Sequence, residues 1–322
     1  MSVVPSATSG TMNRLPGFGG TGAMGRTIVE TIVRDGIHNV VILARTANPE
    51  KEAEIGARIT SVDYSDINQL RSTLETFSIS TVISTLTSSL GIESELNLIQ
   101  AASKSVVTRR YIANVWGITY TPEESKVFLA AEGKVLTMQA LEGSTLEWTC
   151  FLNGFLSDYF VMPRGKSHMT PLVVLVDMMH NKATVPGSGS VPVVLAYSFD
   201  IAKFVVKALG LDHWEKEMYV IGDRLTLTEV VALAEKTKGA KFSVTHDSMG
   251  NLQAGEVCEL PAHKAYYPHF PKDQLQGLLA FFGIIWESGK CNLKPDNPLN
   301  QRFPEIETAT VGSLFQSAWG QD

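Results

Sequence analysis

The sequence predicts an α/β fold built on a doubly wound parallel sheet, and three observations support it. A glycine-rich turn, Gly17-Phe-Gly-Gly-Thr-Gly-Ala-Met-Gly25, runs straight into a segment of helical period. The apolar run Val40-Val-Ile-Leu-Ala44 follows that segment as a buried strand would. Strand-like and helix-like segments then keep alternating to about residue 160. Such alternation gives parallel strands with helices on both faces, and ligands bind at the strands' carboxyl ends.

Glycines at 19, 22 and 25 give the spacing G-x-x-G-x-x-G. Glycines at this spacing allow a tight turn, a close approach of a pyrophosphate to the backbone, and helix packing on the sheet. The helix that follows carries Ile28, Val29, Ile32 and Val33 on one face and Arg26, Glu30 and Arg34 on the other. Its N-terminal amides would face the anion that the glycines admit. Residues Gly19, Gly20, Thr21, Gly22, Ala23, Met24 and Gly25 are therefore candidate cofactor ligands. Asp35-Gly36 is a stop signal for this helix.

Arg58–Val62 reads as the next strand, and Ile67, Leu70, Leu74 and Phe77 mark the helix after it. Thr81-Val-Ile-Ser-Thr85 is a strand followed by a helix with Ile92, Leu96 and Ile99 on its apolar face. Arg110-Tyr-Ile112 is a further strand, and a helix through Lys134 and Leu141 leads to the strand at 146–151. Beyond residue 160 prolines and the turn Pro186-Gly-Ser-Gly-Ser-Val-Pro192 break the rhythm. Two helices still stand out there, Asp200–Leu209 and Thr228–Lys238, with Asp200 and Thr228 as candidate N-caps. The expected division is a tail at 1–16, a dinucleotide-binding domain at 17–160, and a cap at 161–322 interleaved with the last strands.

Hydrophobic residues make up 44% of the 322 and charged residues 19%, a composition with material for a sizeable core. A net charge of −6 without any basic run argues against a nucleic-acid surface. The longest apolar stretches are too short to span a bilayer. Residues 1–12 show neither a basic nor an apolar leader region, so the expected location is cytoplasmic. Cys150, Cys258 and Cys291 are far apart, and no Cys/His cluster implies a metal.

The second strand ends in Leu43-Ala44-Arg45-Thr46, where a carboxylate would bind the 2′-hydroxyl of NAD. An Arg fork there suits a 2′-phosphate, which favours NADP(H) over NAD(H); the alternative is a solvated loop arginine.

Taken together, several segments resemble the NmrA-like and isoflavone-reductase-like branch of the atypical short-chain dehydrogenases, most closely its fungal members. The carriers are Gly-Gly-Thr-Gly-Ala-Met-Gly at 19–25, Val62-Asp-Tyr-Ser-Asp66, Thr81-Val-Ile-Ser84, Arg110-Tyr-Ile-Ala-Asn-Val-Trp-Gly117 and Leu146-Glu-Trp-Thr149. Asn153-Gly-Phe155, Pro186-Gly-Ser-Gly189 and Tyr219-Val-Ile-Gly-Asp223 extend the match. The resemblance implies a Rossmann domain, a smaller C-terminal substrate-binding domain, and bound NADP(H). It adds Asp63, Thr85, Asn153 and Phe155 to the expected cofactor contacts.

The Tyr-x-x-x-Lys dyad of short-chain dehydrogenases proper is absent, since Ala130 stands four places before Lys134. In isoflavone-reductase-like enzymes a helix lysine is the acid/base instead, and the matching position here is Lys134. That lysine is also expected to contact the cofactor. Two features depart from the family pattern. Ala113-Asn114-Val115 replaces the Pro-Ser-Glu usual in fungal relatives, and Pro16 interrupts the segment directly before the glycines, where the first strand is expected.

The resemblance implies an NADP(H)-dependent oxidoreductase acting on a hydrophobic aromatic or alkaloid-like intermediate of secondary metabolism. Its alternatives are a redox-sensing regulator without turnover and an NADPH-assisted cyclase. The expected partner is a small hydrophobic molecule, with no nucleic acid and no membrane, and the chain is expected as a monomer or homodimer.

Overall fold

The computed structural model describes residues 2–3, 23–86, 91–125 and 129–320. Its strands and helices alternate as β1 (Ser2–Val3), α1 (Ala23–Asp35), β2 (Val40–Ala44), α2 (Pro49–Ile55), β3 (Arg58–Ser61) and α3 (Ile67–Thr76). They continue with β4 (Thr81–Ile83), α4 (Glu93–Lys104), β5 (Arg110–Trp116), α5 (Pro122–Ser125), α6 (Leu129–Glu142) and β6 (Glu147–Leu152). The seven strands of this sheet run in the order Glu217–Tyr219, β6, β5, β4, β1, β2, β3, and every pairing is parallel. The chain therefore reverses its winding between β1 and β4, the switch point at which a doubly wound sheet opens its ligand crevice.

All five β2 residues are buried, as the apolar run predicts for a strand covered on both faces. Helix α1 buries Ile28, Val29 and Ile32, and it ends where Gly36 takes a φ of +74°. Asp66 caps α3 by accepting from the Asn68 and Gln69 amides. Ser2–Val3, inside the expected N-terminal tail, pairs with both β2 and β4 in the middle of the sheet. The segment directly before the glycines, where the first strand is expected, lies outside the described residues.

Tertiary contacts group the described chain into two units, one of residues 2–3, 23–152 and 201–220, the other of 153–200 and 221–320. The second unit holds two small sheets. In one, Pro192–Ala196 lies between Asp223–Thr226 and Phe155–Leu156; in the other, Lys182–Pro186 lies between Ser243–Asp247 and Val176–Asp177. Helices Leu227–Lys238 and Lys272–Glu287 pack on them, and Val311–Trp319 packs on Leu227–Lys238. Trp319 fastens the last helix by donating its indole N–H to the Phe160 carbonyl at 3.0 Å.

Two N-caps differ from expectation. Thr226, not Thr228, caps the helix Leu227–Lys238, because Glu229 three places on completes a reciprocal capping box. The helix expected from Asp200 begins at Ser198, and Asp200 instead accepts the Ala309 amide at 2.7 Å. Among the described residues, no helix is long and apolar enough to cross a membrane, and no cluster of His, Cys, Asp and Glu could hold a metal.

Candidate active site

Arg45 follows β2 directly, and the segment 62–65 follows β3, so adjacent parallel strands deliver both to one end of the sheet. There a cavity of about 370 Å³ is lined by Arg45, Val62, Asp63, Tyr64, Ser65 and Ser94. Tyr64 forms its floor, buried and donating its hydroxyl to the Leu43 carbonyl at 3.1 Å. Asp63 is exposed, and its Oδ1 accepts from the Ser65 amide at 2.8 Å and the Ser65 hydroxyl at 2.7 Å. Those two bonds hold its carboxyl below the usual range.

The neighbouring end of β4 and β5 is closed and buried. Glu95, on α4, is 2% exposed. Its carboxylate accepts from the Ser84 hydroxyl, from the Tyr111 hydroxyl at 2.9 Å and from the Asn114 backbone N–H. Desolvation outweighs these bonds and pushes the Glu95 carboxyl up to about 7. Burial and the adjacent Glu95 charge likewise hold the Tyr111 phenol protonated far above its ordinary value. The pairing of β5 with β6 shifts register between Ile112 and Trp116, an irregularity that aims the Asn114 N–H at Glu95.

Beyond this bulge the Trp116 indole N–H donates to the Ser84 carbonyl at 3.1 Å. Its own carbonyl accepts from Lys134 Nζ at 2.6 Å, and the Ile118 carbonyl accepts from the same Nζ at 3.2 Å. Gly117, between these carbonyls, has a φ of +94°, which a side-chain-bearing residue adopts only under strain. Its conformation lets the two flanking carbonyls converge on one ammonium. The Tyr120 ring also lies 5.6 Å from Nζ. Lys134 is thus anchored by backbone from β5 and the turn after it.

Arg45 and Asp63 come together at the cavity, while Lys134 stands at the β5 end and Thr85, fully buried, follows β4. Gly19, Gly20, Thr21 and Gly22 lie outside the described residues. Ala23, Met24 and Gly25 form the first turn of α1, with Met24 and Gly25 buried. Asn153 and Phe155 belong to the second unit. Asn153 is buried there, and the Phe155 ring packs at 4.9 Å on Trp286, 5.2 Å on Phe282 and 5.5 Å on Tyr159. Gly154, at a φ of +66°, joins them, and a Cβ on it would strike the Val194 carbonyl. Phe151 and Phe160 are core residues at 0% and 3% exposure.

Sequence reading missed Glu95, Ser84 and Tyr111. The buried face of α4 is Glu95, Leu98, Ile99, Ala101 and Ala102, rather than one through Leu96. Glu95 stands three and four places before Leu98 and Ile99, so a carboxylate in the apolar stripe was the available signal. Val115, where the family resemblance implies a carboxylate, is fully buried in β5.

The NAD(P)H-binding family matches residues 19–171. Oxidoreductase BOA1 of Botryotinia fuckeliana is 31% identical over 97% of this chain and 99% of its own length. Oxidoreductase swnN of Metarhizium robertsii is 27% identical over 94% and 96%. The chain belongs to the NmrA-like, isoflavone-reductase-like family of NAD(P)H-binding oxidoreductases. In fold it is similar to the binary complex of leucoanthocyanidin reductase with NADPH from Vitis vinifera, with a TM-score of 0.69 at 19% identity over 99% of both chains.

The residues present fit the dinucleotide. The cavity at the β2 and β3 ends offers a guanidinium and the Ser94 hydroxyl for a phosphate, while the Ser65 hydroxyl is given to the Asp63 carboxylate. The first turn of α1 adds the partial positive charge of a helix N-terminus.

Proposed function

We propose that this oxidoreductase uses NADP(H) to reduce a hydrophobic, aromatic or alkaloid-like intermediate of secondary metabolism, with Lys134 as the proton donor. The observation that carries this reading is the anchoring of the Lys134 ammonium by the Trp116 and Ile118 carbonyls at the end of β5. Two fixed acceptors hold Nζ in one place, and a general acid needs that pre-organisation. Bound NADPH supplies a hydride to an electrophilic carbon of the substrate. Lys134 delivers a proton to the substrate atom that gains the electron pair, and the neutral amine is reprotonated from water.

Arg45 supports NADP(H) over NAD(H), because its planar fork can hold a 2′-phosphate through paired bonds. The same preference is consistent with the NADPH bound in the leucoanthocyanidin reductase complex. The second unit supports the substrate class. Phe155, Tyr159 and Phe282 are half-buried rings gathered beside buried Trp286, a surface suited to stacking an aromatic ligand. We assign the first unit to the cofactor and the second to the substrate.

The test is single-turnover oxidation of bound NADPH with candidate biosynthetic intermediates, followed by nicotinamide absorbance. Lys134→Ala is expected to lower the rate by roughly 10²–10⁴-fold, the usual worth of a general acid, with NADPH affinity largely kept. Arginine should not restore it, since a guanidinium does not release its proton. An unchanged rate removes Lys134 from the chemistry. Tight NADPH binding without oxidation by any candidate would favour the regulator.

A further inference from the structure

We propose that Glu95 is the positioning residue of this site: its buried carboxylate ties the end of β4 to β5 through Ser84 and Tyr111, and that hold passes through Trp116 to Lys134. Glu95 grips Ser84 by its hydroxyl, and the carbonyl of the same Ser84 receives the Trp116 indole N–H. Trp116 in turn presents its carbonyl to Lys134 Nζ at 2.6 Å. The Asn114 N–H, two residues before Trp116, also points at Glu95. The strand that carries the lysine's anchor is therefore held to the carboxylate at two places besides Trp116.

A structural carboxylate at this depth is costly, and an apolar side chain would fill the α4 stripe more cheaply. What the carboxylate adds is three directed acceptances from two different strands. The titratable groups interacting with it are Tyr64 from the β3 end and Tyr111 from β5, and burial keeps both phenols protonated. The Arg45 charge also acts on Tyr64, opposing the effect of Glu95. A protonated Glu95 must donate one of the bonds it now accepts, so its charge state alters the relay in the neutral range, while burial pushes Cys150, which feels the Lys134 charge, up to about 12.

This inference rests on reading Lys134 as the proton donor, but its test does not require turnover. The protein is labelled with isotopic lysine, and the Nζ resonance of Lys134 is assigned by its loss in Lys134→Arg. The resonance is then followed across the neutral pH range, with and without saturating NADPH. In the parent protein it should shift with a midpoint at about 7, the titration of Glu95. Glu95→Gln should abolish that inflection, and the signal of Lys51, on α2, should not change. Ser84→Ala, which keeps Glu95 but cuts its bond to β4, should reduce the shift by at least half and serves if Glu95→Gln does not fold. A Lys134 inflection that persists unaltered in either folded variant overturns the proposal. Loss of the inflection together with full turnover in Lys134→Ala would keep the relay and remove the role of the lysine, so the two failures are distinct.

Discussion

Two neighbouring stretches of the carboxyl edge of one parallel sheet handle charge in opposite ways. At the ends of β2 and β3, Arg45 and Asp63 stand exposed around an open cavity, and local bonds hold Asp63 ionised. At the ends of β4 and β5, Glu95 is sealed from water and pushed up to about 7. Helix α4 touches both. Ser94 lines the cavity, Glu95 enters the buried network, and Asn97 donates to the Tyr64 carbonyl at 3.0 Å. The charges of the open end keep their solvation. The closed end holds a geometry, since Glu95, Ser84, Tyr111 and Trp116 each bond to a protein partner there.

The largest expected effect follows from that contrast. Glu95→Ala should destabilise the protein by roughly 3–5 kcal/mol below neutral pH, because the Ser84 and Tyr111 hydroxyls and the Asn114 N–H lose a buried acceptor. Arg45→Ala should stay within about 0.5 kcal/mol, as surface substitutions do. Urea unfolding of both variants checks the pair. Equal losses would erase the distinction between the two ends.

The same carboxyl sets a pH dependence. Its value rises from an ordinary 4.5 to about 7 in the folded protein. Between those values the folded chain holds a proton that the unfolded chain has released. Stability from this group is therefore complete below about 4.5 and lost as pH rises through about 7. The full span is on the order of 3 kcal/mol. Glu95→Gln should flatten the slope, which a series of thermal melts across this range would show. A slope unchanged in the variant would assign the titration to another group.

The open end was legible in the sequence and the closed end was not, for a physical reason. Arg45 is found by counting from the strand it terminates, because the residue at a strand end follows from topology alone, whereas Asp63, at the end of β3, came with the family resemblance. Lys134 became visible only through family resemblance, since a helix lysine looks the same whether it is solvated or anchored. Glu95 escaped because a carboxylate is expected to face water, so the α4 face was read through Leu96 and rotated away from its true line. The central strand escaped for a similar reason. Two residues, Ser2–Val3, carry no periodicity to read.

A smaller effect tests the open end by itself. Arg45→Ala should narrow the gap between NADPH and NADH affinity by about 1–3 kcal/mol, the range for bonds to a charged group. Calorimetric titration with both cofactors measures it. A parent protein that binds the two equally would leave Arg45 without a phosphate to recognise.

The smallest effect should have the opposite sign. Asp63 shares the cavity with Arg45, and its carboxylate would repel a 2′-phosphate that the guanidinium attracts, while it could accept from a 2′-hydroxyl. Asp63→Asn removes the charge but keeps a side-chain oxygen that can accept from the Ser65 amide and hydroxyl, so the turn after β3 should persist. The variant should therefore favour NADPH over NADH more strongly than the parent. The gain should be only about 0.2–1 kcal/mol, because both charges are solvent-screened. It should also shrink as salt is added, whereas a change in packing would not. Titrations with both cofactors at low and high ionic strength decide the matter. A shift towards NADPH that is indifferent to salt would show that Asp63 acts as a direct acceptor for the 2′-hydroxyl rather than as a repulsive neighbour of the phosphate, and a shift towards NADH would overturn both roles.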